Sequence, residues 1–316
     1  MTSTHSERVV VGVCTYRRPE GLRRTLEHLR LAIASTEGEV RVAVVDNDGK
    51  DPRVAAVVQA TLVDVDHVLR VEPTPGISAA RNALVAEADQ WGARYLAMLD
   101  DDEWPSASWL SELLAAARRS RAAIVGGPVE AVLPAARAVR LSRWKRYWSV
   151  EAQELHGRTF VFCTCNFIAN LDHLRDVPRP FFEEAFGLTG GGDTAFFRRL
   201  FHAGKTMAWS AQAVVYESIP ESRASIRWLR TRKYRVGNHA VRWEEAGSSK
   251  ARILAKSVGL SFRLPIYPLF RRDRGTPLMG WLLEAEKVRG RWAAHLGTVF
   301  TEYARAPARE ELRACR

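Results

Sequence analysis

Short apolar runs alternate with helical patterns through the first 118 residues, and this alternation restricts the architecture more than any other feature. The runs are Val9–Thr15, Val40–Val45 and Tyr95–Leu99, and the mixed segment Asp66–Val71 is predicted as a further strand. The helical patterns that follow them are Pro19–Ala34, Arg53–Ala60, Ile77–Ala88 and Trp109–Arg118. Continuous apolar runs are typical of strands buried on both faces of a parallel sheet. The pattern therefore predicts an α/β fold with an open, mostly parallel sheet, whose ligands bind where the strands end.

The second half of the chain is less regular. Two further strands are predicted at Ala123–Val132 and Thr159–Ala169, and a turn at Gly190-Gly191-Gly192 precedes another helix. After residue 220 the pattern becomes helical, basic and rich in tryptophan. We therefore expect an α/β domain in residues 1–220 and a helical extension in residues 221–316.

The net charge of +11 is confined to the last third of the chain. Residues 221–316 contain 21 Lys and Arg against 9 Asp and Glu, whereas residues 1–220 contain 26 against 27. The basic extension is suited to an anionic partner. Because it also contains tryptophans and short apolar segments, we expect it to lie on the headgroup layer of an anionic membrane. The alternative is a solvated basic extension that packs on the first domain.

Neither a secretory signal nor a membrane-spanning segment is predicted. The first residues lack a basic stretch followed by an apolar one, and no run of about 18 apolar residues occurs. Four cysteines are too few for a disulfide framework, and Cys163 and Cys165 fall on a predicted strand, where they should point to opposite faces. We therefore expect reduced thiols, no zinc site, and a cytoplasmic protein at the inner face of the cell membrane.

An acidic run, Asp100-Asp101-Asp102, directly follows the apolar strand that ends at Leu99. Like charges at the end of a buried strand destabilise one another unless a cation neutralises them. Mg²⁺ and Mn²⁺ bind one or two carboxylates together with phosphate oxygens, so the run predicts a divalent metal site. The alternative is a solvated acidic loop, continued by Glu103, before the next helix.

Two further side chains are suited to a nucleotide. Asp46 ends the second strand, where its carboxylate can accept the imide N–H of a uracil or thymine ring; the alternative is an Asx turn that ends the strand. Arg81 is expected in the first turn of a predicted helix that follows Gly76. A guanidinium beside a helix N-terminus is suited to bind a diphosphate; the alternative is a solvated arginine.

Asp193 follows the glycine turn and precedes a helix. Glycines allow a ligand to approach the backbone closely, and a carboxylate here can act as a general base toward a hydroxyl group. The alternative is an N-cap residue, and the two roles are compatible. The aromatic and basic cluster Trp144–Trp148 is suited to an acceptor or a membrane surface, or to an ordinary packing interface.

These residues together resemble the inverting glycosyltransferases of family 2, which have the GT-A fold. The similarity extends over about residues 9–230. The segments that carry it are Thr15-Tyr16-Arg17-Arg18-Pro19, Asp46, Arg81-Asn82, Asp100-Asp101-Asp102 and Gly190-Gly191-Gly192-Asp193. One departure is Gly192, where the family usually has Glu. Thr164-Cys165-Asn166 and the basic extension are further similar to bacterial glucosyltransferases of succinoglycan-type exopolysaccharide synthesis.

The resemblance implies a mechanism and a set of binding residues. A nucleotide-sugar donor, UDP-glucose, is expected to bind through Thr15, Tyr16, Arg18, Asp46, Arg81, Asp100 and Asp101. Asp102 and Asp100 are expected to hold Mn²⁺ or Mg²⁺, and Asp193 to deprotonate the acceptor hydroxyl for transfer with inversion. The expected acceptor is a lipid-linked saccharide, and nucleic acid is not an expected partner.

Two other classes remain as alternatives. A sugar-1-phosphate nucleotidyltransferase also places acidic metal ligands on an α/β sheet. It would normally have a Gly-rich loop bearing Arg or Lys after the first strand, where this chain has Tyr16-Arg17-Arg18-Pro19. The basic composition also suggests a nucleic-acid-binding protein, although the excess charge is confined to the extension and no known binding motif is present.

Overall fold

The computed structural model describes residues 7–186, 191–245, 248–266, 277–298 and 300, with the backbone alone described for Trp243 and Glu245. Gly190 of the predicted glycine turn and the tail beyond residue 300 lie outside these residues.

Strands and helices alternate as predicted in the first 120 residues. The described strands are β1 (Arg8–Thr15), β2 (Glu39–Asp46), β3 (His67–Val71), β4 (Tyr95–Asp100), β5 (Glu103–Pro105), β6 (Ile124–Gly126), β7 (Val129–Val132), β8 (Glu154–Leu155), β9 (Arg158–Thr159), β10 (Asn166–Asn170), β11 (Met207–Trp209) and β12 (Val215–Ser218). The described helices are α1 (Pro19–Ala34), α2 (Pro52–Thr61), α3 (Ile77–Trp91), α4 (Trp109–Ser120), α5 (Ala135–Leu141), α6 (Gly192–His202), α7 (Ile226–Glu245), α8 (Lys250–Arg263) and α9 (Pro277–His295). Short 3₁₀ helices lie at Ser142–Tyr147, Leu171–Leu174 and Glu184–Phe186. The predicted bounds of the first four strands and helices are confirmed to within one helical turn.

The central sheet has the strand order β11-β6-β10-β4-β1-β2-β3. β1 is parallel to both β2 and β4, and β2 is parallel to β3. β10 runs antiparallel between β4 and β6, and β11 is parallel to β6. The mostly parallel sheet confirms the predicted α/β class. Because β1, β2 and β4 are parallel neighbours, their carboxyl ends meet at one edge.

The two later strand predictions are wrong as continuous strands. Ala123–Val132 is divided into β6 and β7, because Pro128 cannot donate to a strand ladder and the chain turns toward a second sheet of order β5-β12-β7. The turn needs glycine at position 127, since a Cβ there would overlap the Ala213 carbonyl. Thr159–Ala169 forms strand only near its two ends, in β9 and β10.

The core lies on both faces of the central sheet. Val9, Val11 and Val13 of β1 pack in the cluster that includes α1 and α4, whereas Val10 packs against α3 on the other face. All four side chains are fully buried. Burial on both faces explains why the strands appear in the sequence as continuous apolar runs.

Helices α7 and α9 pack closely against each other and against the small sheet. A Cβ at Gly237 of α7 would overlap the backbone of α9, and one at Gly290 of α9 would overlap the backbone of α7. Leu229 and Leu283 join Trp148 in a third buried cluster. The extension therefore packs on the α/β part, and the domain boundary near residue 220 stays a prediction. Within the described ranges, no helix combines the length and the apolar character that crossing a membrane requires.

Candidate active site

The carboxyl ends of β1, β2 and β4 bring predicted site residues to one edge of the sheet. Thr15 is paired with Asp46 across β1 and β2, and Cys14 is paired with Asp100 across β1 and β4. Neighbouring strands lie about 4.8 Å apart, so these side chains are close neighbours. The edge where parallel strands end is also where α/β folds bind their ligands. The predicted nucleotide and metal residues therefore lie together at one edge of the sheet.

Asp101 is engaged by the protein itself. Thr15 Oγ1 donates a 2.7 Å hydrogen bond to Asp101 Oδ2, and Arg18 Nη1 lies 3.2 Å from Asp101 Oδ1. Burial raises the pKa of Asp101, and the charge of Arg18 is the largest opposing effect. Arg18 also reaches Asp102, with Nη1 2.7 Å from Oδ2. The structure thus brings Thr15, Arg18 and the acidic run together.

Asp100 is surrounded by other charged groups. Although 41% of its side chain is accessible from the cleft, desolvation raises the pKa of Asp100 to about 6. Arg81 opposes this rise, with Nη2 3.9 Å from Asp100 Oδ1, while Asp102, Asp101 and Asp193 add to it. A carboxylate whose charged form is destabilised in this way is stabilised by a bound cation.

The acidic run fits a divalent cation that a substrate helps to bind. In the part of the chain that the structure describes, no three His, Cys, Asp or Glu side chains form a group that could hold a metal ion. Two carboxylates, from Asp100 and Asp102, nevertheless suffice for Mg²⁺ or Mn²⁺ when substrate phosphates supply further oxygens. The residues therefore fit a metal ion completed by a diphosphate, with Arg18 competing for Asp102.

The second strand ends in a turn built by Asp46. Asp46 is 4% exposed, and its Oδ1 accepts a 3.0 Å hydrogen bond from Asp48 N, which is the Asx turn considered as an alternative. Beside this turn, the Tyr16 ring is 40% exposed and lies 5.1 Å from the Arg17 guanidinium carbon. Arg17 in turn donates to both carboxylate oxygens of Asp48. A partly open aromatic ring beside a buried carboxylate is suited to a nucleoside base.

Helix α3 joins the two halves of the site. Arg81 lies in its second turn rather than in the first turn as predicted, because the helix begins at Ile77. The next residue, Asn82, exchanges two hydrogen bonds with the Phe182 backbone. Asn82 Nδ2 donates to Phe182 O at 2.7 Å, and Phe182 N donates to Asn82 Oδ1 at 3.0 Å. The segment that leads to Asp193 is thereby tied to the helix that carries Arg81.

Asp193 lies in the first turn of α6, but it is not the cap. The N-cap is Gly191, whose φ of 88° favours glycine, and Asp193 Oδ1 accepts a 2.7 Å hydrogen bond from Thr194 N. The N-cap alternative for Asp193 is therefore wrong. Gly192, where the family usually has Glu, is buried, and a Cβ there would lie 3.1 Å from Phe186 Cβ.

Sequence reasoning missed Glu217, which lies on β12 directly opposite Glu103 of β5. Burial raises the pKa of Glu217 to about 7; the charge of Asp102 adds to the rise, and Arg232 provides the largest opposing charge. Burial also raises the pKa of Glu103 well above its usual range. In the sequence, Glu217 is an acidic residue at the end of a short apolar run. That pattern does not reveal that Glu103 of another strand lies opposite it.

The prediction for the cysteine pair is wrong. Cys163 and Cys165 precede β10 rather than lying on a strand, and their sulfur atoms are 2.8 Å apart. Irregular backbone has no side-chain alternation, so both thiols can turn to the same side.

The aromatic cluster Trp144–Trp148 forms a packing interface. Trp148 is fully buried, and its Nε1 donates a 3.0 Å hydrogen bond to Arg223 O. Trp144 and Tyr147 pack against the same buried cluster, which includes residues of α7 and α9. These rings join the α/β part to the helical extension, as the packing alternative predicts.

Comparison with known proteins agrees with this geometry. The family profile described as glycosyl transferase family 2 matches residues 10–177. The succinoglycan biosynthesis protein ExoM of Rhizobium meliloti (strain 1021) is 39% identical over 233 residues, which cover 72% of this chain and 72% of that protein.

Two solved structures share the fold. The crystal structure of S. aureus TarS 1-349 matches with a TM-score of 0.51 and 13% identity, covering 92% of each chain. A longer S. aureus TarS structure matches with a TM-score of 0.50 and 16% identity over 86% of this chain, which spans only 45% of that chain's length. At these identities the likeness bears on the fold alone, and it confirms the predicted GT-A fold with helices at the carboxyl end.

The comparisons give no support to a nucleotidyltransferase or a nucleic-acid-binding protein. The family profile and the 39% identical relative agree with the residues found at the sheet edge. The chain belongs to glycosyltransferase family 2.

Proposed function

We propose that the protein transfers glucose from UDP-glucose, with inversion, to a lipid-linked saccharide during synthesis of an exopolysaccharide. The observation that carries this proposal is the charged cluster at the sheet edge, in which Arg81 Nη2 lies 3.9 Å from Asp100 Oδ1 and the charge of Asp193 acts on Asp100. The similarity to ExoM, a succinoglycan biosynthesis protein, supports the exopolysaccharide. Residues 1–220 would form the catalytic domain.

The nucleoside would bind at the ends of β1 and β2. The carboxylate of Asp46 is suited to accept the uracil imide N–H, and the partly exposed Tyr16 ring is suited to cover the base. Thr15, paired with Asp46 and hydrogen-bonded to Asp101, forms the floor between the base and the acidic run.

The donor diphosphate would lie between Arg81 and the acidic run. Arg81 and Arg18 supply positive charge there, and Asp102 and Asp100 would hold Mn²⁺ or Mg²⁺. The metal ion, when bound, neutralises charge that develops on the leaving diphosphate. The raised pKa of Asp100, caused first by desolvation and then by neighbouring carboxylates, supports a cation at this place.

Asp193 would accept the proton of the acceptor hydroxyl as that oxygen attacks the anomeric carbon. The hydrogen bond from Thr194 N orients the carboxylate at the start of α6. Attack from the face opposite the leaving diphosphate converts an α-linked donor into a β-linked product. No covalent sugar–enzyme intermediate is required.

The helical extension would hold the enzyme at the cytoplasmic face of the cell membrane. Around α8, the apolar side chains of Leu254, Phe262 and Ile266 are 43%, 78% and 42% exposed and recur at multiples of four residues. Arg252 and Arg263 of the same helix are also exposed. An exposed apolar stripe with basic neighbours is suited to the headgroup layer of an anionic membrane. The lipid part of the acceptor would then be presented beside the cleft.

A donor screen followed by product analysis tests the proposal. In the presence of Mn²⁺, UDP-glucose should raise the melting temperature more than other nucleotide sugars, because a ligand that binds only the native state stabilises it. Incubation with a polyprenyl-diphosphate saccharide should then give a β-linked glucoside, identified by NMR. A larger rise with another donor would contradict the glucose assignment, and an α linkage would contradict inversion.

A further inference from the structure

Helix α7 carries three arginines that the proposed mechanism does not use. Arg232, Arg235 and Arg242 lie on one face of the helix together with His239, because they recur at spacings of three and four residues. We call these three arginines the basic stripe. All three are half-buried, and the stripe is about 15 Å long at the helical rise of 1.5 Å per residue.

The opposite face of α7 is occupied by packing. Gly237 lies half a turn away from the basic stripe and is in close contact with the backbone of α9. On the same side, Arg230 Nε donates a 2.7 Å hydrogen bond to Glu286 Oε1 of α9. These contacts hold the helix with its basic stripe turned away from α9.

The basic stripe faces the active site. The Arg242 guanidinium carbon lies 5.8 Å from the centre of the Phe186 ring, and Phe186 packs on Gly192 beside Asp193. His239, in the middle of the same face, is buried, with Phe300 O 3.0 Å from its Nε2 and Asp193 among its more distant charged neighbours. At the other end, Arg232 is in electrostatic range of Glu217. The two ends of the stripe therefore lie near the start of α6 and near Glu217.

The position of the stripe relative to Asp193 indicates what it binds. With inversion, the acceptor approaches from the side opposite the donor diphosphate, and Asp193 marks that side, whereas Arg81 marks the donor side. Three arginines on one face are suited to an anionic group, and the diphosphate is the anionic part of a lipid-linked saccharide, because the guanidinium fork matches phosphate oxygens.

We propose that the basic stripe binds the diphosphate that joins the acceptor saccharide to its lipid. This inference rests on the proposed function, which supplies the lipid-linked acceptor. It assigns α7 a role in acceptor recognition, with the saccharide spanning the distance between the stripe and Asp193.

Direct binding of farnesyl diphosphate tests this inference without requiring turnover. The probe is titrated into full-length protein saturated with UDP and Mn²⁺, so that the donor phosphate site is already filled, and farnesol serves as the probe without phosphate. Wild-type protein should bind farnesyl diphosphate more tightly than farnesol. Arg235→Ala and Arg242→Ala should each lower the affinity for farnesyl diphosphate by about tenfold or more, because hydrogen bonds between charged groups are lost.

The matched control is Arg227→Ala, which removes an exposed arginine of the same helix that lies off the stripe. It should leave both affinities unchanged, and melting temperatures check that every variant is folded. Arg242→Lys should recover part of the affinity if charge is what the diphosphate requires.

Wild-type affinity for farnesyl diphosphate in Arg235→Ala and Arg242→Ala would overturn the inference. Weakened UDP binding in the same variants would also overturn it, because the stripe would then serve the donor. A wild-type protein that binds UDP but not farnesyl diphosphate contradicts this inference alone. Failure to bind any uridine nucleotide would instead contradict the proposed function.

Discussion

Arg18 Nη1 lies 2.7 Å from Asp102 Oδ2, so the carboxylate that we expect to bind a metal ion is paired with a guanidinium. The pair is partly open to solvent, with 46% of the Arg18 side chain and 31% of the Asp102 side chain exposed. Exposed ion pairs contribute little to folding free energy. The pair can therefore open when a metal ion and a diphosphate bind.

Arg18→Gln should tighten donor-free Mn²⁺ binding by about tenfold, because it removes a cation that competes for Asp102. The same change should weaken UDP-glucose binding, since a predicted donor contact is lost. Electron paramagnetic resonance measures free Mn²⁺, and Arg17→Gln is the matched control, because Arg17 pairs with Asp48 instead.

Asp102→Asn should lose Mn²⁺ binding and transfer with the fold intact. Full activity of Asp102→Asn, or of the wild type in EDTA, would exclude a role for the metal.

Asp193→Asn should lower kcat by roughly 10²–10⁴ through loss of the general base. The asparagine oxygen still accepts the hydrogen bond from Thr194 N, so the start of α6 and the melting temperature should be preserved. Steady-state kinetics and UDP titration check this, and UDP affinity should stay near the wild-type value. A collapse of UDP affinity would instead identify Asp193 as a donor ligand.

Two substitutions of Asp46 distinguish the role of its side chain in the turn from its proposed contact with uracil. Asp46→Asn keeps an oxygen for Asp48 N, so the melting temperature should be unchanged. UDP affinity should nevertheless fall about 10- to 100-fold if the amide presents its N–H group to the uracil imide N–H. Calorimetry should show equal losses for UDP and UDP-glucose, because the contact is to the base. Asp46→Ala should lose the turn as well, and unchanged UDP affinity in both variants would limit Asp46 to ending its strand.

Glu217→Gln should stabilise the protein at alkaline pH in EDTA. Burial raises the pKa of Glu217 to about 7, from 4.5 in the unfolded chain. Between pH 4.5 and about 7, Glu217 is deprotonated in the unfolded chain but still protonated in the folded protein. The free energy of unfolding therefore falls as the pH rises through this range, and the loss is complete above the folded pKa. Glutamine does not ionise, so the variant keeps the free energy of unfolding that the wild type loses. Its melting temperature should exceed that of the wild type by about 3 °C or more at pH 8 but by little at pH 5. Glu221→Gln, an exposed acid nearby, should show no such dependence, and equal gains at both pH values would refute the explanation.

Phe262→Asp should reduce flotation of the full-length protein with phosphatidylglycerol vesicles. The side chain is 78% exposed on α8, and a charge there opposes insertion into the headgroup layer. Val63→Asp is the matched control, since Val63 is equally exposed, at 78%, in the connection after α2. Wild-type flotation should decrease at high salt, because basic residues contribute to the attraction. If the wild type does not float at low salt, or if both variants lose flotation alike, the assignment of α8 fails.

Much of the first part of the fold can be predicted from the sequence, because strands such as β1 and β4 are buried on both faces. Val9–Val13 form a continuous apolar run, and the helical periodicity of α1 begins at Pro19. The later strands cannot be read in this way. Ala123–Val132 has the composition of one strand, yet Gly127 and Pro128 divide it between two sheets, and only the packing against Ala213 shows why.

The sequence alone determined which residues carry charge and where the first four strands end, because side-chain chemistry and local periodicity are properties of neighbouring residues. That information places Asp46 and Asp100 at strand ends and Asp193 at the start of a helix. Only the tertiary structure decided that Arg18 pairs with Asp102, which lies 84 positions away, and that Glu217 lies opposite Glu103. It also decided that the basic stripe of α7 is turned away from α9, because the glycine contacts between the two helices orient α7. These relationships depend on strand register and helix packing, which bring together residues that are far apart in the chain, so no local pattern could reveal them.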